Sequence, residues 1–162
     1  YAVEFISEYA RRHIMETRIN GGTGNGGMDG QKIIYSQDSD NAVLYRTYSD
    51  AINVTDGSTL NCYFYGFDML DLAEEAKKYD ILFYVPIGDV PPTKADINRV
   101  QNREESMQMA SRWEEVIRPL MAKVPNIIEL RGYPYQTAEA MLEQAVSIIE
   151  EHMAEHTLRR AA

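Results

Sequence analysis

The sequence predicts an α/β fold, a doubly wound three-layer sandwich around a mainly parallel sheet. Short apolar runs alternate with helical patterns in the order β-α-α-β-α-β-α-β-α, and such alternation is typical of parallel strands joined by right-handed crossovers. The run Ile81 to Val85 is continuously apolar, as in a strand covered on both faces. The 162 residues contain no internal repeat, so we expect one domain over 1–162.

The amino-terminal third is predicted to contain one strand and two helices. The strand covers 2–6, and the helices cover about 8–18 and about 28–47. Between the helices, the glycine-rich segment 20–27 has G-x-G-x-x-G spacing. Because this segment follows a helix rather than a strand, a surface loop is favoured, and a nicotinamide-dinucleotide site is the alternative.

The rest of the chain is predicted to alternate between strands and helices. The strands are 52–55, 81–85 and 127–130, and the helices are about 68–79, about 95–123 and from Thr137 onward. Three prolines between Pro86 and Pro92 indicate a loop over 88–94. Trp113 lies at helical spacing and is expected in the core. The last helix is expected to bury a stripe made of Met141, Ala145, Ile148, Ile149 and His152.

Composition and charge restrict the class of function. A formal net charge of -9 repels polyphosphate backbones, so we expect no extended contact with nucleic acid. Cys62 is the only cysteine, which indicates a reducing compartment and a buried thiol rather than a nucleophile. No apolar run has the length of a membrane span. We therefore expect a cytoplasmic protein that acts on a small molecule without membrane contact, with homo-oligomer formation left open.

Three groups of side chains are candidates for chemistry. Asp56 ends the strand 52–55, and the carboxyl ends of parallel strands are where ligands bind, so its carboxylate can hold Mg²⁺. Arg99 and Arg103 lie on one face of a predicted helix and can grip one anionic ligand together. Glu8 can accept a proton from an attacking hydroxyl or bind a ribose, and Arg11 can pair with it or with a phosphate.

Each candidate also has a purely structural interpretation. An aspartate followed by glycine, as at Asp56, is a frequent turn. The two arginines stand among acidic residues and can belong to a solvated helix face with weak ion pairs. Glu8 and Arg11 have the spacing of a common surface pair on a helix. The three histidines lack metal-ligand spacing, so no zinc site is predicted.

Three local patterns in sequence order resemble a known family. They are Ser7-Glu8-Tyr9-Ala10-Arg11, Val54-Thr55-Asp56-Gly57-Ser58 and Asp96 to Arg103. The patterns resemble the P-loop nucleoside and nucleotide kinases, and are most similar to the nicotinamide-riboside-kinase-like ATPases of bacteria and phages. This resemblance implies ATP-dependent phosphoryl transfer to a nucleoside, nucleotide or related small hydroxyl substrate, with ATP and Mg²⁺ as cofactors.

The same resemblance implies a role for each candidate residue. It assigns substrate binding to Glu8, Tyr9 and Arg11, with Glu8 also catalytic. It assigns Mg²⁺ binding and a catalytic role to Asp56. Arg99 and Arg103 would act in catalysis and bind ATP from a lid over about 88–106, and Gly132 after the last strand would contribute to the ATP site.

The phosphate-binding motif of that family, G-x-x-x-x-G-K-[ST], does not occur in the sequence. In the family it follows a central strand, which would lie between the strand ending at Asp56 and the strand 81–85. We therefore expect a gap at that place in the sheet. A longer natural protein that begins before Tyr1 is the favoured explanation; a partner that fills the gap and a rearranged, inactive sheet are the others. The alternative function is a non-catalytic interaction or assembly protein on the same scaffold.

Overall fold

The computed structural model describes three parts of the chain, residues 52–56, 71–86 and 103–162. Three strands and three helices lie in these parts. In chain order they are β1 (Val54–Asp56), α1 (Leu72–Lys77), β2 (Ile81–Tyr84), α2 (Arg103–Lys123), β3 (Ile127–Glu129) and α3 (Ala138–Ala161). The predictions for 2–6, 8–18, 20–27, 28–47, Cys62 and 88–94 lie outside the described residues.

The strands form a parallel sheet in the order β1-β2-β3. Val54 is the partner of Ile81 in the first pair, and Leu82 is the partner of Ile127 in the second. The described part of the chain therefore belongs to the α/β class, as the sequence predicts, and its parallel strands are joined through α1 and α2.

The predicted gap beside β2 is wrong for this structure, since β1 pairs directly with β2 from Ile81 to Phe83. All four residues of β2 are buried, so an unpaired inner edge would leave backbone N–H and C=O groups away from both water and a partner strand. Direct pairing with β1 satisfies those groups.

Two helices cover one face of the sheet. Leu82 and Tyr84 of β2 and Ile127 of β3 point to this face, because side chains alternate along a strand. They form a buried cluster with residues of α1, α2 and the turn after α2, which are Ala76, Trp113, Ile117, Leu120 and Val124. The buried Trp113 confirms its predicted place in the core.

Helix α3 covers the opposite face. There Ile81, Phe83 and Leu130 form a second buried cluster. The residues of α3 that pack against it are Met141, Ala145, Ile148 and Ile149. This confirms four members of the predicted stripe, while His152 is partly buried. The described sheet thus lies between two helical layers.

Side-chain hydrogen bonds hold the amino-terminal edge of the sheet. The Asp80 carboxylate accepts from the Asn53 N–H at 2.7 Å, just before β1 and β2 begin. Before β3, the Asn126 amide donates to the carbonyl oxygens of Ala76 at 2.7 Å and Tyr79 at 2.8 Å. The first bond joins the residues that precede β1 and β2, and the bonds of Asn126 join the end of α1 and the turn after it to the start of β3, on the side away from Asp56.

The ends of the helices follow ordinary capping rules. Asp71 accepts from the N–H groups of Ala73 and Glu74 and caps α1 (Leu72–Lys77), which lies within the predicted helix 68–79. Residues 68–70 lie outside the described part of the chain. Thr137 accepts from the Ala140 N–H at 3.1 Å, which confirms its predicted role as the cap of α3. None of the helices in the described part of the chain combines the length and apolar character needed to cross a lipid bilayer.

The core contact most sensitive to truncation is predicted to be that of Ile117, which is fully buried between α2 and the sheet. Ile117→Ala should lower the free energy of unfolding by about 2–5 kcal/mol, because it removes buried surface and leaves a cavity. Urea denaturation followed by circular dichroism measures this change. Leu158→Ala is the control, since Leu158 is 71% exposed; an equal loss in both variants would contradict the described core.

Candidate functional site

The carboxyl-terminal edge of the sheet is the place where polar side chains gather. The last residues of β1, β2 and β3 are Asp56, Tyr84 and Glu129, and they lie at this edge because the strands are parallel. Asp56 lies opposite Phe83, and Tyr84 lies opposite Glu129. Asp56 is exposed to solvent, whereas Tyr84 is only 2% exposed. In open parallel sheets this edge is the usual ligand side.

The buried end of Tyr84 is tied to α2. Its hydroxyl donates to the carboxylate of Glu114. Burial first, and then the bond to Glu114, raise the pKa of Tyr84, so the phenol stays protonated. Burial also acts to raise the pKa of Glu114, but hydrogen bonds from Tyr84 and Arg118 outweigh it, and the net pKa is lowered. Glu114 is therefore a carboxylate acceptor at neutral pH.

Arg118 connects two carboxylates at this edge. Its two terminal nitrogens donate to the two oxygens of Glu129 at 2.7 and 2.8 Å, and its Nε donates to Glu114 at 2.7 Å. The guanidinium carbon also lies 5.7 Å from the centre of the Tyr84 ring. The bonds to Glu129 and Glu114 raise the pKa of Arg118, and the bond from Arg118 is the main cause of a lowered pKa at Glu129. We call Tyr84, Glu114, Arg118 and Glu129 the edge network.

The turn after β3 extends this network towards solvent. Arg131 lies 3.4 Å from Glu129, and its guanidinium carbon lies 4.2 Å from the centre of the Tyr135 ring. Tyr135 is 69% exposed. Its backbone is held in the turn, because its N–H donates to the Gly132 carbonyl at 2.8 Å. Gln136 donates to the Arg131 carbonyl and, at 2.9 Å, to Gln144 of α3.

The edge network fixes positions rather than offering a reactive group. Its carboxylates accept from a phenol and two guanidinium groups, so their charges are matched by neighbouring cations. The bonds join β2, β3 and α2 at the level where the strands end. Two exposed residues lie at the same edge of the sheet. Asp56 is paired with Phe83, whose side chain lies on the face covered by α3, and Tyr135 packs its ring against Arg131.

The structure places three of the residues predicted to form the site. Asp56 is the last residue of β1, as predicted, and Gly132 is buried three residues after the end of β3. Arg103 is the first residue of α2. Glu8, Tyr9, Arg11 and Arg99 lie outside the described residues. Among the residues that the structure describes, no group of three or more His, Cys, Asp or Glu side chains is arranged to hold a metal ion.

Sequence reasoning missed the edge network and Arg131. One local signal was present, because Glu114 and Arg118 have the spacing of an ion pair on one helix face. The contact of Arg118 with Glu129 joins α2 to β3, and no periodic spacing in the sequence relates these two residues. Only the packing of α2 on the sheet brings these two residues together.

Comparisons of the chain with family models, curated proteins and solved structures find no match.

The edge network should stabilise the fold at neutral pH. Glu129→Gln removes the charge from the bidentate contact with Arg118 and is expected to lower the free energy of unfolding by about 1 kcal/mol, since the pair is partly exposed. Urea denaturation at pH 7 measures the loss. Glu143→Gln on the exposed side of α3 is the control and should change stability by less than about 0.5 kcal/mol.

The same network predicts a dependence of stability on pH. Glu114 and Glu129 have folded pKa values below the ordinary value of 4.5, so they stabilise the fold above that value, and this contribution is lost as the pH falls through the folded pKa. The free energy of unfolding should therefore decrease as the pH is lowered below about 5. Glu129→Gln should make this decrease shallower. An identical pH slope in both proteins would show that the carboxylate does not contribute.

Proposed function

We propose that the protein is an ATP- and Mg²⁺-dependent kinase of a nucleoside, nucleotide or related small hydroxyl compound. The observation that carries the proposal is the exposed carboxylate of Asp56 at the carboxyl end of a parallel strand, in a sheet covered on both faces. That edge is the usual ligand side of such a sheet, and a carboxylate is a suitable Mg²⁺ ligand. The finer assignment to a doubly wound sandwich is part of this proposal, whereas the family's central strand between β1 and β2 is not, since these two strands pair directly.

The chemistry assigns a distinct task to each candidate residue. The acceptor hydroxyl forms a bond to the γ-phosphorus of ATP while the bond to the bridging oxygen breaks, ADP leaves, and the hydroxyl proton passes to a base, for which Glu8 is the candidate. Asp56 would hold Mg²⁺, which would supply positive charge to neutralise the phosphates. Arg99 and Arg103 are proposed to add positive charge from the lid region, 88–106.

The turn after β3 supports a place for the base of ATP. The ring of Tyr135 is exposed, and the guanidinium carbon of Arg131 lies 4.2 Å from its centre. Stacking on an aromatic ring is a general way to hold a nucleobase. The turn follows Gly132, the residue that the resemblance assigns to the ATP site. It lies at the same edge of the sheet as Asp56.

A second candidate function is that of a non-catalytic interaction or assembly protein. Leu142 and Val146 are exposed one turn apart on α3, on a different side from the stripe that packs on the sheet. Exposed apolar side chains that are neighbours on one helix favour contact with another protein. The sequence does not contain the G-x-x-x-x-G-K-[ST] motif of the kinase family, which is consistent with this alternative.

The kinase proposal predicts phosphorylated product when the full-length natural protein is incubated with ATP, Mg²⁺ and a panel of nucleosides and nucleotides. Asp56→Asn should lower kcat by at least about 100-fold, because the change removes the negative charge of the carboxylate that would hold Mg²⁺. Glu150→Gln on the exposed side of α3 is the control and should keep full activity. If the natural protein gives no product and calorimetry detects no ATP binding, the assembly function replaces the kinase.

The turn after β3 predicts a specific effect on ATP. Tyr135→Ala should raise the KM for ATP by about tenfold and leave the KM for the acceptor unchanged, because it removes one stacking surface for the base. Steady-state kinetics with each substrate varied in turn measures both values. Leu158→Ala, which removes another exposed apolar side chain, is the control. A rise in the acceptor KM alone would place the acceptor, not ATP, on Tyr135.

A further inference from the structure

Helix α3 has a second apolar stripe beside the one that packs on the sheet. Leu142 is 64% exposed and Val146 is 44% exposed. Met153 lies about two turns after Val146 on the same side of the helix and is partly buried. None of the 24 residues of α3, all of which the structure describes, is buried. The helix therefore packs on the sheet with one side and exposes apolar side chains on the next.

The residues of this stripe follow the seven-residue spacing of helices that pack side by side. Glu139, Val146, Met153 and Arg160 recur at intervals of seven, and Leu142 lies three residues after the first of them. The two central members of the series are apolar, whereas an acid stands at its beginning and a base at its end. We call these five residues the α3 seam.

The α3 seam is complementary to itself when the direction of the helix is reversed. The midpoint of α3 is also the midpoint between Val146 and Met153. Two copies of the helix related by a two-fold axis at that point would place Val146 opposite Met153 and Glu139 opposite Arg160. Each acidic first turn would then meet a basic last turn of the other copy, while the apolar side chains would meet in the centre.

We propose that the α3 seam is the contact surface of an antiparallel homodimer, in which two copies of α3 pack against each other about a two-fold axis. A second copy of this chain fits the seam because the same segment supplies the complement of both its charges and its apolar side chains. A parallel pair would instead oppose acid to acid and base to base. The inference is independent of the proposed kinase function, since the contact needs neither ATP nor an acceptor.

The size of the contact sets the expected strength of the dimer. A helix of 24 residues is about 36 Å long, so contact along one such helix belongs to the small interfaces, which bury less than about 1,200 Å² in total. The net charge of -9 on each chain makes two copies repel at long range. The apolar centre therefore supplies the attraction, and the charged ends set the direction. We expect a reversible dimer with a Kd of about 10–100 μM.

Sedimentation velocity of the full-length protein without nucleotide, at concentrations from about 1 to 500 μM, measures the dimer. Val146→Glu and Leu142→Glu should each raise the Kd at least about tenfold, because each places a charge against apolar side chains of the other copy. Leu158→Glu is the matched control and should keep the native Kd. Leu158 is 71% exposed and lies on nearly the opposite side of α3 from Val146 and Met153.

A charge exchange tests the direction of the two helices. Glu139→Arg and Arg160→Glu should each raise the Kd by about fivefold, because each turns two exposed attractive pairs of the dimer into repulsive ones. The double variant, with both substitutions in one chain, should return the Kd to its native value. Only an antiparallel pair brings residue 139 of one copy next to residue 160 of the other, so only that arrangement gives this recovery.

Three outcomes would overturn the inference. One is a chain that stays monomeric up to the highest concentration, and another is a dimer that both Val146→Glu and Leu142→Glu leave intact. The third is a dimer that Val146→Glu disrupts but whose double charge variant does not recover, since the two copies would then pack in another direction. Circular dichroism melting curves verify that each variant is folded.

Discussion

The burial of β2 on both faces is the constraint from which the rest of the described structure follows. Its four residues alternate between two apolar clusters, one completed by α1 and α2 and the other by α3. A strand in this position has no access to water for its backbone groups, so both of its edges must be paired. Direct contact with β1 and β3 meets that requirement and brings the carboxyl ends of the three strands to one edge.

The two edges of the sheet differ because different groups hold them. At the amino-terminal edge, side chains of Asn126 and Asp80 bond to backbone groups next to the strands. At the carboxyl-terminal edge, the edge network joins side chains with one another, and its ion pairs are partly exposed. The first arrangement anchors the chain, whereas the second sets the position of α2 relative to the strand ends.

The proposed function uses only the carboxyl-terminal edge of the sheet. The edge network holds α2 at Glu114, and the amino-terminal part of that helix extends beyond the carboxyl-terminal edge of the sheet. Gln136 bonds the turn after β3 to α3, and Tyr135 of this turn is exposed. In the proposed function, the exposed Asp56 would serve the metal and the Tyr135 ring would serve the base of ATP.

The local elements were predictable because they depend on neighbouring residues. The apolar run of β2, the Thr137 cap and the stripe of α3 follow from alternation, capping chemistry and helical spacing, and the structure confirms them. The place of Asp56 at the end of a strand follows from the same reasoning.

Strand order was not predictable in the same way. A gap beside β2 was expected from the resemblance to a kinase family, but the order of strands depends on which backbone edges can be satisfied together, a property of the whole sheet. The contact between Arg118 and Glu129 likewise depends on how a helix is docked onto a strand. By itself, then, the sequence determined the α/β class, the helix caps and the strand-end position of Asp56. The tertiary structure decided the pairing of β1 with β2 and the edge network, because both join residues that no local periodicity relates.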